Sequence, residues 1–314
     1  MSTVVVPELK GLRFSGHESF ACRYAWLPKA CRALADNPRL FTDEDDAMVK
    51  LGLGKNMVRS LRFWVDAMGL VKISDRGRHM ELNDFAEAIF GEGGLDPYLE
   101  DETTLWLLHW NLSSKTSGPI FAWDFLISRW PRPEFTRSEA LAAFRVESDA
   151  MGGEHSDVTL AQHLDVFLHT YLPGRAAANM GAEDSLDGPL VELSLLQPIG
   201  ERRQEAGRWE PVYGFRREAK PEISQALFDY CLLDFARRRE ASDRTLTFRT
   251  VAVLPGSPGQ VFKLPEGDVR ARLEEVRPEG RAGFSYQSSS VQGQVVLSES
   301  NAGPTLQDVY EASR

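Results

Sequence analysis

Apolar and polar positions alternate with helical spacing over much of the chain, most clearly between Lys55 and Met68. Val58, Leu61, Val65 and Met68 share one face of that stretch, and Lys55, Arg59 and Arg62, at i, i+4 and i+7, share another. Gly69 stops the helix. Upstream, Ser15 and Glu18 are spaced as a capping box, and Phe20, Tyr24 and Leu27 follow at i, i+4 and i+7, which predicts a helix opening at Ser15. Pro28 opens a second helix whose apolar face is Ala30, Cys31 and Leu34. A short helix is expected over 43–51, then a tight turn at Gly52-Leu53-Gly54. Strands at 70–73 and 79–82 flank a turn, Asp75-Arg76-Gly77-Arg78, and a helix over 83–90 follows. Helix, helix, glycine turn, helix, then a hairpin with a basic tip is the order of a winged helix-turn-helix.

Residues 96–172 read as helical, with pieces at 100–111, 122–129, 137–147 and 159–171, broken by Pro131, Pro133 and Met151-Gly152-Gly153. Residues 173–189, rich in Ala, Gly and Asp, read as a linker. Strands are expected at 190–196, 209–215, 245–253 and 261–264, and helices at 222–239, 266–276 and 305–312. Segments 284–287 and 294–297 resemble a hairpin. The expected fold is mainly α, of α+β type. It comprises an N-terminal winged helix-turn-helix (1–92), a central helical region with linker (93–189) and a C-terminal mixed, winged-helix-like domain (190–314).

Charge changes this picture. The 314 residues carry 36 Lys+Arg against 46 Asp+Glu, a net of −10, which disfavours non-specific coating of nucleic acid or anionic membrane. Residues 1–82 hold 13 basic and 10 acidic side chains, a net of +3, and the remainder holds 23 and 36, a net of −13. A basic head on an acidic body suits a DNA-touching module joined to a protein-contacting one. No run approaches the ~18 apolar residues of a membrane span. The start, MSTVVVPELKG, lacks the pattern of a signal peptide, and three cysteines without a CxxC make no disulfide framework, so a cytoplasmic setting is expected.

The Lys55/Arg59/Arg62 stripe is the candidate DNA-contacting face, with Asn56 and Ser60 near base edges or phosphates and Arg76 and Arg78 at the hairpin tip. A solvated helix face is the plainer alternative. His17 and Glu18 are the candidate acid/base or metal-ligand pair. The favoured alternative has Glu18 capping its own helix and His17 exposed beside it. His163 and His169 lie six apart on one helix, on different faces, and read as ordinary helix residues. Gly256-Ser257-Pro258-Gly259 reads as a plain turn rather than a phosphate cradle, and without GKS or GKT no nucleotide cofactor is expected. Trp106, Trp110, Trp123 and Trp130, among leucines at helical spacing, read as core.

FSGHESF at 14–20 and LGLGKNMVRSLRFW at 51–64 resemble a domain-of-unknown-function family that includes SspB of bacterial single-strand DNA phosphorothioation systems. Phe215-Arg216-Arg217 through Lys220-Pro221, Tyr230-Cys231-Leu232-Leu233-Asp234 and Gly256 through Leu264 resemble its C-terminal half. In those systems a non-bridging phosphate oxygen is exchanged for sulfur. Double-stranded DNA is the expected nucleic-acid partner, and the resemblance implies a cysteine desulfurase, an ATPase and a sulfurtransferase as protein partners. It also implies a DNA-nicking role with Mg²⁺ or Mn²⁺. No nuclease centre maps residue by residue. A non-catalytic scaffold, a transcriptional regulator and a homodimer remain open.

Overall fold

The computed structural model describes residues 11–153, 155–174, 188–204, 207–239, 244–275, 282–288, 293–298 and 303–313. Most of the linker expected at 173–189 lies outside them. In chain order come α1 (Trp26–Asp36), α2 (Glu44–Leu51), α3 (Lys55–Ala67), β1 (Val71–Ser74), β2 (His79–Leu82), α4 (Asp84–Phe90) and α5 (Glu102–Ser113). Then follow α6 (Phe121–Trp123), running into a π-helical turn (Asp124–Arg129), β3 (Glu134–Thr136), α7 (Arg137–Ala150), α8 (Asp157–Tyr171), β4 (Leu196–Arg203) and β5 (Trp209–Phe215). Last come α9 (Gln225–Arg238), β6 (Thr245–Thr247), α10 (Phe248–Val253), α11 (Pro258–Val261), α12 (Glu266–Glu274), β7 (Phe284–Gln287), β8 (Gln294–Leu297) and α13 (Leu306–Glu311). Helices dominate and every described strand pair is antiparallel, an α+β fold.

The chain divides into two compact units, neither of them continuous in sequence. One takes Arg13–His109 and Pro131–Arg216. In it α1, α2, α3 and α4 pack around the β1–β2 hairpin, and α7 and α8 pack against each other. Its second sheet has the order β3-β5-β4. β3 corrects the all-helical reading of the centre. Pro131 precedes it, and the buried Phe135 pairs opposite Tyr213 of β5. Thr136 then caps α7 in a reciprocal box with Glu139.

The other unit takes Trp110–Trp130 and Arg217–Arg314, together with Gly11 and Leu12 of the described N-terminal residues. Its sheet has the order β6-β8-β7, with α10 against β6 and α12 against β7, and α9 packs on α11 and α13. The strand expected over 245–253 stops at Thr247, whose side chain caps α10. The one expected at 261–264 does not form: Ser257 caps α11 and Pro258 occupies its first turn, so Val261 ends a helix and the chain turns at Phe262 and Lys263. The strand expected at 190–196 is a 3₁₀ turn (Pro189–Val191), and β4 begins only at Leu196. The four tryptophans 106, 110, 123 and 130 are all buried. Among the described residues no helix is long and apolar enough to cross a membrane.

Candidate nucleic-acid interface

α3 owes its place to two glycines. Gly52 ends α2 at φ 62°, a left-handed value that costs glycine little, and Gly54 turns the chain into α3. Val58, Leu61, Trp64 and Val65 go inside, each contributing on the order of 1.5–3 kcal/mol over its exposed state. That leaves Lys55, Asn56, Arg59 and Arg62 exposed on the opposite side. Ser60 does not join them. It is fully buried and its hydroxyl donates to the Phe20 carbonyl, so its expected place near a base edge is corrected.

The exposed cations are held by neighbours. Arg59 forks onto Glu44, Nε to Oε1 at 2.6 Å and Nη2 to Oε2 at 3.1 Å, and Lys55 Nζ lies 3.1 Å from Glu44 Oε2. Hydrogen bonds from Arg59 and Lys55 draw the Glu44 carboxyl down to about 2. Arg62 Nη2 donates to the Gly77 carbonyl at 2.7 Å, which brings the α3 face to the hairpin tip. At that tip Arg76 (φ 55°) and Arg78 are exposed, and Arg78 pairs with Asp75 at 2.8 Å. The six residues expected to touch DNA thus belong to one unit, all on its surface, four on α3 and two on the adjoining tip.

The expected helix cap at Glu18 and the expected exposure of His17 are corrected. No helix opens at Ser15; α1 starts at Trp26. Glu18 and Ser19 hold left-handed φ values of 48° and 66°, so Glu18 caps nothing and stays exposed, while His17 turns inward to 4% exposure. Its Nε2 lies 3.0 Å from His163 Nδ1, and its Nδ1 accepts the Ser19 N–H at 3.3 Å. Phe14 stacks on His155 at 3.7 Å between ring centres. Burial, with the Arg13 charge beside it, lowers His17 to about 4, and burial lowers His163 as well. Both shifts favour the neutral rings. The loop they anchor also accepts the Trp64 indole N–H at the Phe20 carbonyl, 3.0 Å, and so sets α3 from behind. Sequence reasoning missed this pairing because the two histidines are 146 residues apart.

Burial pushes the Cys31 thiol up to about 12, and Cys22 and Cys231 are raised and buried too, so none is a ready thiolate. Among the described residues no group of three His, Cys, Asp or Glu side chains could hold a metal ion.

The chain as a whole is similar to known proteins. The model of DUF4007, described as a protein of unknown function, matches residues 14–310. A magnesium ion-bound SspB crystal structure is 28% identical, with a TM-score of 0.78 over 92% of this chain and 84% of its own. A second SspB crystal structure, also 28% identical, has a TM-score of 0.77 over 93% and 85%. Comparison with curated proteins returns no match.

Proposed function

The chain belongs to the DUF4007 family, and we propose that it is a DNA-binding component of a bacterial DNA phosphorothioate modification and defence system. The observation that carries this is the α3 face, with Lys55, Asn56, Arg59 and Arg62 exposed and Arg62 tied to the tip that bears Arg76 and Arg78. The likeness to SspB over more than nine-tenths of the chain supports the pathway. In this reading the first module is a winged helix whose α3 enters the major groove, with the hairpin as wing. The partners are the cysteine desulfurase, ATPase and sulfurtransferase of the same system.

Binding of duplex DNA is measured against salt. The triple variant Lys55→Ala, Arg59→Ala, Arg62→Ala is expected to bind more weakly at every sequence. Its log–log salt slope should fall by about 0.9 for each phosphate that is no longer neutralised. Unchanged affinity overturns the α3 assignment.

Nicking is the finer proposal. One SspB structure is magnesium ion-bound, whereas among the described residues of this chain no group of three His, Cys, Asp or Glu side chains gathers at one place. Relaxation of supercoiled plasmid in Mg²⁺ or Mn²⁺ supports nicking. Intact plasmid, with co-purification of the ATPase, replaces it with a scaffold.

A further inference from the structure

In the same unit as α3, a cleft of about 420 Å³ opens between one face of α7 and the start of β5. Arg137, Leu141 and Arg145, at i, i+4 and i+8, form its helical wall. The other wall is the β4–β5 hairpin end. Gln204 and Arg208 close the hairpin by a backbone bond of 2.8 Å, and Trp209 and Tyr213 line the strand beyond. Trp209 is 60% exposed, an unusual cost for the largest apolar side chain.

The charges in the cleft are unequally engaged. Arg137 forks onto Asp165, Nε to Oδ1 at 2.8 Å and Nη2 to Oδ2 at 2.9 Å. Arg145 gives its Nε–H to Asp157 at 2.6 Å, which leaves its remaining N–H donors for a ligand. Glu210, the one acidic lining residue, accepts the N–H and hydroxyl of Ser138 at the start of α7. The cleft therefore offers an aromatic face beside guanidinium groups, within the roughly 300–1,000 Å³ of small-ligand sites. A base stacks on an aromatic ring in any sequence, and a phosphate suits arginine forks.

We propose that this cleft binds one unpaired nucleotide of a DNA strand, its base on Trp209 and its phosphate on Arg145 and Arg208. The proposal rests on the DNA-binding reading and adds to it a site for single-stranded DNA, separate from the duplex-binding face of α3.

The test measures fluorescence anisotropy of a labelled oligo(dT) strand and of a labelled duplex on the full chain. Trp209→Ala is expected to weaken oligo(dT) binding roughly 5- to 150-fold, the worth of one stacked base, and to leave duplex affinity unchanged. Trp209→Phe restores most of the loss, and the pair Arg145→Ala, Arg208→Ala weakens oligo(dT) binding and flattens its salt dependence. Equal oligo(dT) affinity in Trp209→Ala and wild type overturns the cleft assignment. If the α3 triple variant still loses duplex binding in that case, the DNA-binding reading stands. If wild type binds neither DNA, both fall. Displacement of oligo(dT) by an equal nucleotide concentration of free dTMP identifies a free nucleotide as occupant and overturns the strand.

Discussion

His17 Nε2 and His163 Nδ1 share a single hydrogen bond of 3.0 Å inside the first unit, and the neighbouring Ser19 decides which ring donates it. The Ser19 N–H points at His17 Nδ1, 3.3 Å away, so that nitrogen keeps its lone pair. Neutral His17 then carries its proton on Nε2 and donates to His163. A second proton on His17 would have to face the Ser19 N–H, in a buried place already next to the Arg13 charge.

Stability should therefore fall with acid in a defined window. Above pH 6.5 His17 is neutral in both states and contributes no slope. Between 6.5 and about 4 the unfolded chain binds a proton that the folded chain refuses, so stability drops as pH falls, by on the order of 2–3 kcal/mol from this group. Below about 4 the loss levels off. Urea midpoints at pH 7 and 4.5 measure it. His17→Gln keeps a donor without the titration and should show a shallower slope; equal slopes would falsify the tautomer argument.

Gly16 is the other pressure point of this loop. At φ 110° an added Cβ would lie 2.7 Å from Phe63 Cδ2 on α3. Gly16→Ala should cost roughly 1–3 kcal/mol through backbone strain and the displaced ring. Chemical denaturation reads the cost, and a loss under about 0.5 kcal/mol would show that the loop adapts freely.

How far these features were legible in the sequence follows from how local they are. α3 and its hairpin were readable because Val58, Leu61 and Val65 repeat with the helical period, and glycines punctuate both ends. β7 and β8 likewise match their expected ranges. The capping box at Ser15 misled because the same spacing also fits a tight loop, and left-handed Glu18 and Ser19 chose the loop. Val261 to Leu264 looked like a strand by side-chain type. Ser257 and Pro258 start a helix there first, and Lys263 ends the segment at φ 53°. The histidine pair and the Trp209 cleft join segments far apart in sequence, which no spacing reveals.

In the second unit Trp110 donates its indole N–H to Asp234 Oδ2 at 2.7 Å, and Asp234 also pairs with Arg238 at 2.6 Å. Arg238 in turn donates to the Ser114 hydroxyl at 2.7 Å. Asp234→Ala removes the acceptor of a fully buried N–H and should destabilise by about 1–3 kcal/mol. The variant should retain duplex affinity, because the proposed DNA-binding residues lie in the other unit. Thermal unfolding and anisotropy check the two halves of this expectation. A selective loss of binding with normal stability would move the interface.

Glu44 gives the most direct check on the α3 surface, because it makes the opposite prediction to the arginine variants. Its carboxylate holds Arg59 and Lys55 at once, and any phosphate reaching that face must compete with it. Exposed pairs of this kind are weak, so phosphate can displace them at modest cost. Removing the competitor should then help. Glu44→Gln keeps the shape, deletes the charge and should tighten duplex binding about two- to fivefold at low salt. The gain should shrink as salt screens the field. A solvated face with no nucleic-acid partner would show no gain, and weaker binding would mean that Glu44 positions Arg59 for DNA rather than withholding it.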